Sequence, residues 1–167
     1  MNQTEQTYCL DSNVLIQAWQ KYYSPKYCPS YWEVLNELGN EERIFVPSMV
    51  YDEIVRTDDE LSDWLKNSNI KSKAITTEVT EILKSIYDAD PNHKYLVDSK
   101  KGRSLADPWV IAHAIKEQAI VVTKEEKVTA LNSTKIKIPN VCDNMGVKWI
   151  NDYKMVEHLG LKFSCTR

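Results

Sequence analysis

Short apolar runs alternate along this chain with stretches of helical periodicity, and that alternation allows few folds. The run Ala119-Ile120-Val121-Val122-Thr123 is β-branched with no polar face, so it predicts a strand buried on both sides. Similar signals predict strands near 7 to 11, 43 to 46, 135 to 138 and 148 to 150. Between them, apolar residues recur at helical spacing over 13 to 21, 30 to 39, 47 to 56, 77 to 89, from 107 onward, 139 to 145 and 152 to 159. Strands joined by helices pair in parallel, which gives an α/β fold: a three-layer α/β/α sandwich with a mainly parallel central sheet. The charged stretch Thr57-Asp58-Asp59-Glu60-Leu61-Ser62-Asp63-Trp64-Leu65 puts acids in the first turn of a further helix. The helices between 57 and 90 then read as an inserted arm on one face of the sheet. With 167 residues, 43% hydrophobic content and only 4 Gly, the chain can bury one sizeable core. No repeat or interdomain linker divides it, and one domain over 1–167 is expected.

Four acidic residues lie in separate segments, each where a strand ends or a helix begins. Asp11 closes the apolar run Tyr8-Cys9-Leu10, and a helical pattern starts just after it. Ligands of parallel α/β sheets bind outside the carboxyl ends of strands, so the position suits a site. Glu53 follows Pro47-Ser48-Met49-Val50-Tyr51-Asp52. At 100° per residue it falls between Met49, Val50 and Ile54, which predicts that Glu53 faces inward and Asp52 outward. Asp107 heads Ala106-Asp107-Pro108-Trp109-Val110-Ile111-Ala112-His113-Ala114, where Val110, Ile111 and Ala114 continue its own face. Glu125 stands just past the strand that ends at Thr123.

Each acid also has an ordinary explanation. Asp11 or Asp107 could cap a helix, Glu53 could pair with a basic neighbour, and Glu125 could belong to a solvated charge run with Lys124, Glu126 and Lys127. Capping is local, however, and does not account for four acids at comparable positions. An unpaired charge on an apolar face costs several kcal/mol. Carboxylates distant in sequence that do converge need a cation between them.

Together the four segments resemble the PIN domains, metal-dependent ribonucleases that include the VapC-type toxins of bacterial toxin–antitoxin pairs. The likeness runs through Leu10-Asp11-Ser12-Asn13-Val14-Leu15-Ile16, through Glu53 in the helix after the second strand, through Ala106-Asp107-Pro108-Trp109-Val110-Ile111-Ala112, and through Val121-Val122-Thr123-Lys124-Glu125. It covers residues 7 to about 155. The opening segment alone is weakly specific, whereas the four in this order are strongly so. One departure is that the fourth acid is Glu, where most relatives have Asp. The late segment Lys137-Ile138-Pro139-Asn140-Val141-Cys142 is similar to a bacterial branch of the superfamily distinct from the smaller, standard VapC toxins.

The resemblance implies an endoribonuclease that hydrolyses RNA with Mg²⁺ or Mn²⁺. Asp11, Asp107 and Glu125 would hold the ion directly, and Glu53 would act through water. Hard divalent ions prefer all-oxygen ligation, which agrees with a carboxylate set. Ser12, Asn13 and Thr123 could orient the acids by hydrogen bonds, or could be ordinary cap and strand-end residues. A toxin of this type implies an antitoxin protein as partner, and a second copy of the chain is a further candidate. The other functions considered are a PIN-like RNA- or regulator-binding protein without turnover, and a metal-dependent DNA nuclease or phosphatase. A phosphatase is disfavoured because Asp11-Ser12-Asn13 lacks a second aspartate two positions on.

Net charge of −3, from 21 basic and 24 acidic residues, means that any attraction of RNA must be local. Lys100, Lys101 and Arg103, just before Asp107, are the best candidates, with a merely solvated loop as the alternative. Trp19, Tyr22, Tyr23, Tyr27, Tyr31 and Trp32 read as core packing, a partner surface or a base-stacking platform. No apolar run is long enough to span a membrane, and the polar Met1-Asn2-Gln3-Thr4-Glu5-Gln6 lacks a signal-peptide core, so a cytoplasmic location is expected. Cys9, Cys28, Cys142 and Cys165 show no C-x-x-C spacing and read as reduced thiols. His93, His113 and His158 are scattered, which disfavours a histidine metal centre.

Overall fold

The computed structural model describes residues 5–130 and 135–167; the polar start at 1–4 lies outside the described residues. Among the described residues five strands form one sheet: β1 (Tyr8–Leu10), β2 (Ile44–Pro47), β3 (Lys71–Lys73), β4 (Ile120–Val122) and β5 (Trp149–Ile150). Their order is β3-β2-β1-β4-β5, and every neighbouring pair is parallel. The three inner strands are buried along their whole length, because Tyr-Cys-Leu, Ile-Phe-Val-Pro and Ile-Val-Val offer apolar side chains to both faces. Leu10, Val121 and Val122 are 0% exposed. Each such side chain contributes roughly 1.5–3 kcal/mol by leaving water.

Among the described residues eight α-helices accompany the strands: α1 (Ser12–Gln20), α2 (Pro29–Asn40), α3 (Ser48–Val55), α4 (Glu60–Asn67), α5 (Thr77–Ala89), α6 (Asp107–Glu117), α7 (Ile138–Met145) and α8 (Asp152–His158). Helix α6 lies over β1, β2 and β4, with α5 and α7 beside it in the same layer. On the other side, the rings of Trp19 in α1, Trp32 in α2 and Trp64 in α4 meet edge-on or tilted, with centroids 4.7 to 6.3 Å apart. This is the three-layer α/β/α sandwich expected from the sequence. Among the described residues no helix is long and apolar enough to cross a membrane.

Two expectations about local structure are corrected. Residues 57–90 are not only a helical arm: Lys71–Lys73 forms the edge strand β3 and pairs with β2 in the register Phe45↔Lys71. Lys-Ser-Lys carries no apolar signal, so its strand state comes from tertiary contact. Gly39 of α2 permits that contact, since a Cβ there would stand 2.7 Å from the Ile70 backbone nitrogen. Asn36 Oδ1 also accepts the Asn69 N–H at 2.7 Å. The second correction concerns 135–138, which is not a strand. Residues 135–137 have no regular structure, and Ile138 instead opens α7 just ahead of Pro139, fully buried. The alternation Lys-Ile-Lys-Ile imitates a strand, but a proline at the start of a helix is favoured there.

Of the aromatic residues near the amino end, Tyr31 and Trp32 are buried, and Trp19, Tyr22 and Tyr23 pack against the core. Tyr27 alone among the six stays exposed, at 66%. All four cysteines are free, with Cys9 and Cys142 buried in the core.

Candidate active site

Parallel strands bring their carboxyl ends to one edge of the sheet, and a helix that returns between them starts at that same edge. Asp11 follows β1, Thr123 to Glu125 follow β4, and Asp107 is the first residue of α6. Three acids distant in sequence are thus gathered by topology. The backbone N–H of Asp11 donates to Val122 O at 2.9 Å, which fixes the end of β1 against the end of β4.

Asp11 is 2% exposed. Its Oδ1 accepts the Ser12 N–H at 2.8 Å, and its Oδ2 accepts the Thr123 hydroxyl at 2.9 Å. Asp11 is therefore the N-cap of α1. Burial pushes its carboxyl up to about 7; the Thr123 hydroxyl opposes this, and the charges of Glu125 and Glu53 add to it. Asp107 is 8% exposed, and burial, followed by the charges of Asp11 and Glu125, pushes it up to about 8. Among the described residues neither acid lies within ion-pair distance of a basic side chain. Two carboxyls are thus buried in one field without a counter-charge.

Glu125 is held differently. Its backbone N–H donates to Thr123 Oγ1 at 3.1 Å, while its carboxylate turns toward α7. There Oε2 accepts the Ile138 N–H at 2.9 Å, and Oε1 is 3.7 Å from Lys137 Nζ. Among the described residues no three His, Cys, Asp or Glu side chains are grouped closely enough to hold an ion. Glu53 requires a correction: it is exposed beside an exposed Asp52, not turned inward. The buried stripe of α3 is only Val50 and Ile54, with Met49 half-buried, so the apolar arc is narrower than its sequence spacing suggested. The charge of Glu53 nonetheless reaches both Asp11 and Asp107.

The supporting residues are placed unequally. Thr123, fully buried, is the hub, because its hydroxyl joins Asp11 to the Glu125 backbone. Asn13 Oδ1 accepts the Lys124 N–H at 3.0 Å and so ties α1 to the chain after β4. Ser12 contributes its backbone N–H. Lys100, Lys101 and Arg103 are exposed in a turn closed by two backbone hydrogen bonds between Asp98 and Arg103, at 3.1 and 3.0 Å. None of the three forms an ion pair with an acid of the site among the described residues.

Sequence reasoning missed one feature next to the site. Lys124 is no member of a solvated run: its Nζ donates to Asp152 Oδ1 at 2.8 Å and lies 4.0 Å from the Tyr153 ring centroid and 4.9 Å from that of Tyr22. Burial pulls its pKa down, but hydrogen bonds with Asp152 and Tyr22 outweigh that and hold it above the ordinary lysine value. The only trace in the sequence is the acid after Asn151 at the start of α8, which by itself reads as a first-turn charge.

A family model described as a domain of unknown function, DUF4411, matches residues 8–163. The chain belongs to the DUF4411 family. The match takes in all four acidic positions and the segment from Lys137 to Cys142. No curated protein matches the chain. Among solved structures, the chain is similar to VapBC2 from Rickettsia felis, solved bound to a DNA fragment from its promoter. The TM-score is 0.57 at 18% identity, over 87% of this chain and 98% of that one. That likeness shows a shared fold, and this DUF4411 member has the three-layer α/β/α architecture with a parallel sheet that its sequence led one to expect.

Proposed function

We propose that this protein is a metal-dependent endoribonuclease acting as one domain, the toxin of a toxin–antitoxin pair. The observation that carries the proposal is the burial of Asp11 and Asp107 in one field with no basic partner among the described residues. Uncompensated buried carboxyls are costly, and a hard divalent cation such as Mg²⁺ or Mn²⁺ would relieve that cost. Oxygen-only donors suit such an ion by their chemistry, and Glu125 would have to turn from α7 to join Asp11 and Asp107. Asp11 and Asp107 would hold it, Glu125 would complete the set, and Glu53 would act from the rim through water. When bound, the ion supplies water activation near neutral pH and offsets charge on a phosphodiester. The chain's own groups do the positioning. The Thr123 hydroxyl and the Ser12 N–H occupy one lone pair on each Asp11 oxygen and so fix the carboxylate plane. Asn13 holds the backbone that carries Glu125.

Similarity to VapBC2 supports the toxin–antitoxin setting and an antitoxin as protein partner. The test is to incubate the purified protein with total RNA and Mg²⁺, Mn²⁺ or chelator, and to sequence the ends. Cleavage that needs the ion and disappears in Asp11→Asn supports the proposal; cleavage that survives both treatments overturns it. Glu125 docked on α7 favours a second reading, an RNA-binding protein with little turnover. Ion-dependent RNA binding without new ends would select it.

A further inference from the structure

The segment Lys137-Ile138-Pro139-Asn140 does more than start a helix. Three of its groups act on the chain that leaves β4. The Ile138 N–H donates to Glu125 Oε2 at 2.9 Å, and the Lys137 ammonium stands 3.7 Å from Oε1. The Asn140 side chain meets the backbone of Val128 twice, accepting its N–H at 3.1 Å and donating to its O at 2.9 Å. Asn140 Oδ1 also accepts the Lys137 N–H at 3.2 Å, which ties the lysine backbone to the same clamp. Residues 125 to 128 are therefore fixed to α7, and the one cation beside a site carboxylate among the described residues is Lys137. At 3.7 Å the contact is looser than a charge-assisted hydrogen bond of about 2.7–2.9 Å. The lysine side chain is also 46% exposed, whereas that of Glu125 is 15% exposed. Such a partner neutralises Glu125 without being locked to it.

Building on the metal-dependent reading above, we propose that Lys137 is a displaceable counter-ion. It balances Glu125 on α7 while the carboxylate site lacks a metal, and it gives up Glu125 when a divalent ion binds beside Asp11 and Asp107. The Ile138 N–H can keep Oε2 while Oε1 changes partner, because a glutamate has one more methylene than an aspartate with which to swing. The longer fourth acid of this chain thereby gains a physical role. The lysine and the ion compete for one oxygen, so removing the lysine strengthens ion binding.

The experiment measures Mn²⁺ affinity by calorimetry, without RNA, for the wild type, Lys137→Met, Lys137→Arg and Lys154→Ala. Lys154 pairs with Glu157 on the surface of α8 and controls for the loss of one positive charge at a distance. The expected result is Mn²⁺ binding on the order of tenfold tighter in Lys137→Met, the size expected when one unit charge a few Å from a divalent ion is removed in a high effective dielectric. Lys137→Arg should stay within about twofold of wild type because it keeps the positive charge, and Lys154→Ala should do so because that exposed charge is paired with Glu157 and acts through a high dielectric. Unchanged affinity in Lys137→Met, with wild type binding Mn²⁺, overturns the counter-ion and leaves the nuclease reading standing. Weaker binding in Lys137→Met overturns it too, by showing that the lysine presents Glu125 to the ion. No Mn²⁺ binding by wild type removes the nuclease reading and this proposal with it.

Discussion

Asp11 and Asp152 are both buried carboxylates beside residues 123–125, at 2% and 0% exposure, yet their surroundings differ in kind. Asp152 receives the Lys124 ammonium at 2.8 Å, and two tyrosine rings face the same cation. Asp11 receives a hydroxyl and a backbone N–H, and its nearest charged influences, Glu125 and Glu53, are acids like itself. One cluster is balanced by the chain, so it holds α8 to the residues that follow β4. The other is balanced only from outside, by a proton or a cation. A buried acid with its own lysine belongs to the scaffold, and the buried acid without one is where the proposed ion would bind.

The comparison breaks most visibly at the balanced cluster. Lys124→Met should strand Asp152 as an uncompensated buried charge and cost about 3–5 kcal/mol, read as a shift in the urea midpoint. A loss below about 1 kcal/mol would mean that Asp152 is not a scaffold charge at all. Asp11→Asn should act in the opposite direction. In metal-free protein near pH 8 it removes one of several repelling acids and should stabilise by about 1–3 kcal/mol, while abolishing Mn²⁺ binding and RNA cleavage. If Asp11→Asn unfolds the protein instead, its cap to α1 outweighs its role in the site.

The acids without a lysine should also give the protein its pH dependence. Asp11 and Asp107 have folded-state pKa values of about 7 and about 8, raised from 3.8. Between those limits the folded state binds more protons than the unfolded one, so their stabilising contribution is complete below about pH 4 and is lost as pH rises through 7 to 8. Metal-free protein should therefore lose thermal stability across that window, by up to roughly 1.4 kcal/mol per pH unit for each acid. Saturating Mn²⁺, which binds the deprotonated acids, should restore it at the alkaline end. A melting temperature that is flat with pH, in buffers of matched ionic strength, would remove the electrostatic basis of the site. The smallest effect concerns α3: Glu53→Gln should weaken Mn²⁺ binding a few-fold through lost long-range attraction, with Asp52→Asn nearly silent, since exposed charges act at high dielectric. Equal effects of the two, in parallel titrations, would take Glu53 out of the site.

The sequence made some of these elements legible and hid others for physical reasons. Strands β1 and β4 could be read because both their faces are apolar, and the positions of Asp11 and Asp107 followed from where such strands end and returning helices begin. Strand β3 could not, because Lys71-Ser72-Lys73 becomes a strand only through β2 and through the close approach that Gly39 allows. Ile136 and Ile138 imitate a strand by spacing, yet Pro139 makes the second of them a helix start. For Glu53, helical phase gave an angle between apolar neighbours but no depth, and depth decides exposure. Lys124 and Asp152 are 28 residues apart, and nothing local in either announces the other.

The hydrogen bond from Thr123 to Asp11 spans 112 residues, and the β1–β4 pairing that supports it joins Tyr8 to Ile120. The middle of the sheet therefore closes between segments 112 residues apart. During synthesis, the ribosome must release β4 before β1 has its second neighbour, and α7 and α8 must emerge before Glu125 and Lys124 find their partners. Contacts of such long sequence separation are slow to form, since loop closure precedes their reward. A nascent chain thus cannot bring Asp11 to Thr123 until β4 has emerged. If the proposed site is correct, that order of emergence would make its assembly a late event, after the chain around Asp107 and Glu125 has joined β1.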